Sequence, residues 1–501
     1  MIVSCDEMKA LEEKAFATGV TADSLMEEAG LQIGQAVSQF FPIPGRCAVY
    51  FGKGHNGGDA LVAARHLAKQ GWKIELLPAF PKNTWSELTV EKYDRFRTAT
   101  ESDQNPAVKL YDRHDTRSFA VLDGLLGIGA HGPLREPVHG AAIQINKLRE
   151  TDNAQVFAID IPTGLDGDTG EASQDCVVAD FTLAIGFAKR GLLADKAANF
   201  TGRLAVLPLE GLPAQQASPN VPDAVVAAGK SLRECLPRRK FDSHKGDYGR
   251  VGIVAGSVGT TGAAVMTAEA ALRAGAGLIT LFVTVDIYPV LAAACAPEIM
   301  VHPVESYREV LKTKLDVIAI GPGLGKRDAG DILQIIVESP LPMVVDADAL
   351  NLVAADIALL GRCAGKRLLT PHPGEMARLF DTKNFTRREI AEKFTRQFPV
   401  TLLLKGSRTI IAEKGLPPSY NTTGSPGMAT GGMGDTLTGV CAALIGQGLS
   451  CYDAARVGAW ICGHAAEIAI YERSMSEESL AASDLPPAFG KAFKQLRGGC
   501  F

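Results

Sequence analysis

One pattern constrains this chain more than any other. Short, unbroken apolar runs recur along it and alternate with helical stretches, and several are followed by a glycine-rich turn. In the first half the runs are 46–51, 73–77, 119–123, 156–160, 181–185 and 203–207. Runs of this length, apolar on consecutive rather than alternate residues, suit strands covered by helices on both faces. Leu25, Ala29, Ile33 and Val37 recur every four residues, which predicts an amphipathic helix ahead of the first run. Such alternation builds a parallel, Rossmann-like, three-layer domain. The second half repeats the style, with runs at 250–255, 278–284, 316–320, 342–346, 367–370, 400–404 and 408–412. Thr386 with Glu389 three residues later makes a capping box, and TLTGVCAALIGQG after Gly434 reads as a buried helix. The predicted fold class is therefore α/β, with two three-layer α/β/α domains. Residues 208–224 hold four prolines and no period, which reads as a linker. The expected division is 1–212, a linker at 213–225, and 226–501.

Composition mainly excludes. Net charge is −5 and no run of Lys or Arg exceeds the triplet Arg238, Arg239, Lys240, so no nucleic-acid partner is expected. The most apolar stretch, 262–285, is interrupted by Glu269 and Arg273, so no membrane span is expected. The start carries acids where a signal peptide needs basic residues. Ten cysteines without a C-x-x-C pair argue against a zinc cluster or a disulfide framework, and for free thiols in a reducing cytoplasm. Glycine is the exception to this ordinary profile. Of the 52 in the chain, ten fall within 401–450. Glycine costs entropy on folding and is used where φ is positive or another group comes close.

Open α/β sheets bind ligands beyond the carboxyl ends of their strands, so the residues after each run matter most. After 46–51 comes GKGHNGGDA (52–60), a glycine turn before a helix, with Asn56 and Asp59 inside it. Backbone amides there can hold an anion. Asp123 and Asp160 each close a strand next to a glycine turn. Such a carboxylate can ligate a cation, move a proton or simply cap the turn. In the second half GSPGMATGGMGDTLTG (424–439) accounts for the glycine peak. Glycines 431, 432 and 434 precede a helix, and Asp435 falls in its first turn. Amides and helix dipole there favour negative charge, which suits a phosphoryl group in transfer. Asp435 is expected to stay ionised and to take a proton from an attacking hydroxyl. GPGLG (321–325), TPHPGE (370–375) and LLKGSRT (403–409) read as further ligand loops or plain turns. Asp346 and Asp348 can reach a Mg²⁺-bound nucleotide or cap the following helix. His66 and His464 read as packing or surface residues.

Taken together and in order, these motifs resemble the bifunctional NAD(P)H-hydrate repair enzymes, in which an epimerase domain precedes an ADP- or ATP-dependent dehydratase domain. The resemblance rests on GKGHNGGDA, DGLLGIG and DIPTGLDGDTG, then on HKGDYGRVGIVAGS, TGAAVMTAEAALRAGAGL, GPGLG, VVDADALNL, TPHPGE, LLKG and NTTGSPGMATGGMGD. It implies a Rossmann-like domain followed by a ribokinase-like one. It implies that Asn56, Asp123 and Thr163 bind potassium. It implies hydrate contacts from His55, Asn56, Gly57, Gly58 and Asp59, from Gly127, Ile128, Gly129, Ala130, His131, Gly132 and Pro133, and from Asp160 as acid/base. In the second domain it implies hydrate contacts from Ala263, Gly323, His372 and Asp435, with Asp435 catalytic. Nucleotide contacts fall to Lys405, Gly406, Ser407, Arg408, Thr409 and Gly434. The implied cofactors are K⁺, Mg²⁺ and ADP or ATP as co-substrate. The implied partners are NADH hydrate, NADPH hydrate and a second copy of the chain, in the cytoplasm. The first loop departs from the family pattern Asn-Asn-Gly-Gly-Asp-Gly at His55 and Ala60. An alternative stays open: a ribokinase-like small-molecule kinase with an amino-terminal binding module.

Overall fold

The computed structural model describes residues 1–101, 118–130, 132–212, 223–473 and 475–499. Of the expected linker, 213–222 lies outside the described residues, as does His131. The chain divides into two compact units, Met1–Val226 and Ala227–Cys500.

The first unit is built on six parallel strands in the order Lys73–Pro78, Arg46–Phe51, Phe119–Gly124, Gln155–Ile159, Phe181–Ile185, Arg203–Leu207. Alternate residues of each strand face opposite sides. Ala48, Tyr50, Val121, Val156 and Ala158 bury one face against Val138, Ala142 and Ile145 of the helix Val138–Asp152. The other face meets the helix Ala22–Phe40, whose Phe40 ring lies 4.4 Å from Phe181 and 6.5 Å from Phe157. Both faces being covered is why the strands read as unbroken apolar runs. The strand order changes direction beside Arg46–Phe51, next to Phe119–Gly124. A crevice opens at such a switch point.

The second unit has a larger sheet, ordered Ile299–Val304, Leu278–Thr284, Arg250–Val254, Val317–Ile320, Met343–Val345, Arg367–Leu369, Thr401–Leu404, Ile410–Ala412, Ser419–Tyr420. It is parallel as far as Thr401–Leu404 and antiparallel beyond. Its direction changes between Arg250–Val254 and Val317–Ile320. One face packs on the helices Thr261–Arg273, Met433–Gly446 and Cys451–Glu467. The first two of these come very close: a Cβ on Gly439 would sit 2.1 Å from the Thr267 carbonyl oxygen and 3.0 Å from the Ala270 Cβ. The capping box at Thr386 and Glu389 is present and opens the helix Arg387–Gln397.

Three differences from the sequence expectation have physical causes. The strand Ile299–Val304 lies at a sheet edge with Met300 half-exposed, so its sequence carries no unbroken apolar run. Residues Arg408 and Thr409 belong to a turn, not a strand, because the Thr409 hydroxyl donates to the Gly406 carbonyl (3.1 Å) and the strand starts at Ile410. The two-residue strands Ile2–Val3 and Ala188–Lys189, which pair in parallel, are too short to show a pattern. Among the described residues no helix is long and apolar enough to cross a membrane.

Candidate active sites

In the first unit, Gly54 caps the helix His55–Lys69, so His55 and Asn56 stand at its start, beside the switch point. The Asn56 amide donates to the Leu126 carbonyl oxygen (2.8 Å). The Leu126 backbone N–H in turn donates to the Thr163 hydroxyl oxygen (3.2 Å). Thr163 donates twice to Asp123, from its N–H to Oδ2 (2.8 Å) and from its hydroxyl to Oδ1 (2.7 Å), and Leu125 N–H adds a third bond (3.3 Å). Asp123 is fully buried. Burial pushes its pKa up to about 6, against those hydrogen bonds. The structure thus joins Asn56, Asp123 and Thr163 in one network. A Cβ on Gly127 would sit 3.5 Å from the Asn56 side chain, so the 127–133 loop starts against it. Leu126, Gly127, Ala130, Gly132, Pro133 and Thr163 line an open cavity of about 700 Å³. Ile128 and Gly129 form the turn that Ala130 closes through its N–H to the Gly127 carbonyl oxygen (3.1 Å).

Asp160 points elsewhere. It adopts φ 67°, left-handed for a non-glycine residue, and is nearly buried. Its Oδ1 accepts from Ile185 N–H (3.0 Å) and pairs with the Lys189 ammonium, which also donates to the Ile185 carbonyl oxygen (2.9 Å). Lys189 is fully buried. Asp59 senses the same pair. Burial, then the Asp160 and Glu12 charges, hold the Asp59 carboxyl well above the usual range, with Lys189 opposing. The sequence reading missed Lys189. Its signal was its place just after the strand Phe181–Ile185, within GFAKRGLL. Gly57 and Gly58 are buried within the helix start, and Ala60 is buried behind it.

In the second unit the helix Met433–Gly446 starts from Gly432, whose φ of 87° favours glycine. Gly434 lies in its first turn, where a Cβ would stand 3.1 Å from the Lys405 ammonium. Lys405 donates to Asp346 Oδ1 (3.0 Å) and stands 3.9 Å from Glu375 Oε2. Burial works against the Lys405 charge, but Asp346 and Glu375 more than offset it and its pKa lies above the ordinary value. The Thr438 hydroxyl donates to Asp346 Oδ2 (2.8 Å), and Asp348 Oδ2 accepts from Gly325 N–H (2.8 Å). Asp435 corrects an expectation. Burial first, then Asp346, push its pKa up to about 7, although Lys405 pulls the other way. It is therefore half protonated near neutrality rather than firmly ionised. The helix dipole favours the anion by about 0.3–1 kcal/mol, too little to offset desolvation beside other carboxyls.

Around these groups stand the other expected residues. Ser257 and Thr260 hydroxyls donate to the Gly323 carbonyl oxygen (2.8 and 2.7 Å), and a Cβ on Gly323 would lie 3.0 Å from Ala263 Cβ. His372 caps the helix Pro373–Leu379: its Nδ1 accepts from Gly374 and Glu375 N–H (3.0 and 3.3 Å), while Glu375 accepts from His372 N–H (2.9 Å). Gly406 and Ser407 are exposed and Arg408 is buried in the turn before Ile410–Ala412. His464 is buried between Glu467 (2.8 Å) and Gln495 (2.9 Å), and His66 is half-buried. Among the described residues no group of three or more His, Cys, Asp or Glu is arranged to hold a metal ion, and the nine described cysteines are free.

Two mainly parallel α/β units, each gathering polar residues beyond the carboxyl ends of its own strands, define a two-site α/β enzyme. Residues 22–191 match the family model described as YjeF-related protein N-terminus, and residues 251–487 that of NAD(P)H-hydrate dehydratase. The bifunctional NAD(P)H-hydrate repair enzyme Nnr of Moorella thermoacetica is 37% identical over 519 residues, covering 97% of this chain and 95% of the relative. That of Coxiella burnetii is 34% identical over 488 residues, covering 96% and 97%. The crystal structure of ADP/ATP-dependent NAD(P)H-hydrate dehydratase from Bacillus subtilis, co-crystallized with ATP/Mg²⁺, is 27% identical, covers 55% of this chain and 99% of that one, and superposes with a TM-score of 0.48. The chain belongs to the family of bifunctional NAD(P)H-hydrate repair enzymes.

Proposed function

We propose that this chain repairs hydrated NADH and NADPH: the first unit interconverts the two epimers and the second dehydrates one of them, the S form, at the expense of ADP or ATP. Hydroxide is a poor leaving group from the hydrated ring. Phosphorylation makes it a good one, and elimination restores the double bond. Asp435 takes the proton of the hydroxyl, while backbone amides around Gly434 support the phosphoryl group in transfer. Lys405, Gly406, Ser407, Arg408 and Thr409 hold the nucleotide. Ala263, Gly323 and His372 hold the hydrate. Mg²⁺ enters with the nucleotide beside Asp346 and Asp348. The observation that carries the reading is that Asp435, Gly434 and Lys405 converge at one helix start, in a chain aligned with bifunctional repair enzymes along 97% of its length. Nothing in the sites favours the small-molecule kinase.

In the first unit Asp160 moves the proton. His55, Asn56, Gly57, Gly58 and Asp59 with the 127–133 loop hold the hydrate. Asn56, Asp123 and Thr163 hold K⁺. They offer oxygens around a buried carboxylate that is bonded by the neutral Leu125 N–H, Thr163 N–H and Thr163 hydroxyl, and such a set suits a hard cation. K⁺ bound there supplies the missing positive charge beside the loop. The unpaired cysteines support a reducing, cytoplasmic setting. A homo-oligomer completes the proposal, to be read by light scattering. The decisive experiment incubates the full chain with mixed hydrate epimers and ADP or ATP. Complete recovery of NADH absorbance, by a fast phase and then a slower one, supports both activities. A stable phospho-ester without recovered absorbance overturns the reading.

A further inference from the structure

We infer that Glu12, on the helix Cys5–Ala17, is the second proton carrier of the first unit's site, acting opposite Asp160. This rests on the epimerase reading above. A carbon that bears a hydroxyl is inverted when its carbon–oxygen bond breaks on one face and forms again on the other, and that route needs two proton carriers. One group must give a proton to the departing oxygen and another must take one from the incoming water. A single carboxyl cannot serve both faces. Asp160 is already fixed, its Oδ1 held by Ile185 N–H and the Lys189 ammonium.

The chain's first segment brings a second carboxyl to that place. Ile2–Val3 pairs with Ala188–Lys189 in the register Val3↔Lys189, and Cys5 N–H donates to Asp168 Oδ1 (2.8 Å). The helix start is thereby tied beside Lys189. Cys5, Met8 and Ala15 mark its buried face. Met8 reaches Gly186, its Cε 2.9 Å from where a Cβ would stand. Glu12 follows Met8 by one turn on the same face. It is half-buried, and its carboxyl has no hydrogen bond or ion pair among the described residues. The charged groups that reach it are Asp160 and Lys189 across the gap and Lys9 on its own helix, while Asp59 faces the same pair from the helix His55–Lys69. Burial, then the Asp160 charge, raise its pKa above the ordinary carboxyl value. Residue 12 also precedes the matched segment 22–191, so no role comes to it from there.

The step balances. Glu12 gives its proton to the hydroxyl, the carbon–oxygen electron pair stays on oxygen, and water leaves a cationic ring carbon. Water adds to the other face and its surplus proton passes to Asp160. Nothing is oxidised or reduced. The two carboxyls end with exchanged protonation states, which the reverse reaction or solvent resets.

The test uses the full chain, mixed hydrate epimers and ADP or ATP. The fast phase reads the second unit and serves as internal control; the slow phase reads epimerisation. Glu12→Gln is expected to leave the fast phase unchanged and to slow the second phase about 100-fold or to the spontaneous rate. Glu12→Asp restores it in part, and its pH profile falls off at lower pH than the wild type's. A packing role would be met by Gln and not by Asp, so a Glu12→Gln slow phase within a few-fold of wild type overturns the inference. If Asp160→Asn keeps the slow phase, the epimerase reading itself fails instead.

Discussion

The two sites handle buried carboxyls in opposite ways. In the first unit Asp123 is wrapped by Thr163 and Leu125 and Asp160 is paired with Lys189, while the Asp59 carboxyl near that pair is held well above the usual range by burial. In the second, Asp346, Asp348, Glu375 and Asp435 crowd around the single ammonium of Lys405. A site whose ionised carboxyls are held by their own donors, beside a carboxyl that burial keeps raised, is suited to proton exchange with a neutral group. A site with more carboxyls than cations is incomplete until positive charge arrives, and meanwhile it holds Asp435 near its titration point. The contrast fits the proposed function, in which the second unit takes a nucleotide together with a divalent cation.

Four measurements break or sharpen that contrast. The largest effect is expected from Asp435→Asn, which should lower nucleotide-dependent dehydration by about 10²–10⁴-fold while epimer exchange, read by chromatography, stays at the wild-type rate. Loss of both activities would mean that the sites are not independent. Next comes Lys405→Met. It strands Asp346 in the interior, and about 3–5 kcal/mol should be lost from the second unit, seen as a lower thermal transition and a raised nucleotide KM. An unchanged transition would show that the crowded carboxyls need no lysine. The third is pH. Asp435 acts only when deprotonated, and its pKa is pushed up to about 7, so dehydration should rise through neutrality. Below the midpoint the rate should fall about tenfold per pH unit, and Asp435→Glu should move the midpoint. A flat profile from pH 6 to 8 would remove Asp435 as the base. The smallest is Thr163→Val. It deletes one hydroxyl bond to a buried carboxylate, worth about 1–3 kcal/mol in urea unfolding of the first unit, and leaves the second unit's activity alone.

How much of this was legible beforehand follows from where the information lies. The interior strands were plain because helices cover both faces and every residue is apolar; Ile299–Val304 was hidden because an edge strand is only half covered. The glycine–aspartate turns after the strands were legible as turns, and strand order brings those at Asn56, Asp123 and Thr163 into one network. The protonation of Asp435 was not legible. It depends on Asp346, Asp348 and Glu375, which are 60 or more residues away in the chain and meet it only in space. Lys189 escaped notice because its partner Asp160 lies on a different strand end, and Glu12 because a two-residue strand pairing carries no periodic signal.

The close passage at Gly439 has a mechanical consequence. With the Thr267 carbonyl almost touching its Cα hydrogens, the helix Met433–Gly446 and the helix Thr261–Arg273 behave as one rigid beam. One end of that beam carries Ala263, and the other helix carries Gly434 and Asp435. The residue proposed to hold the hydrate and those proposed to support the phosphoryl group are therefore carried on two helices in close contact. A methyl group at position 439 would act as a wedge, upsetting both ends of the beam at once.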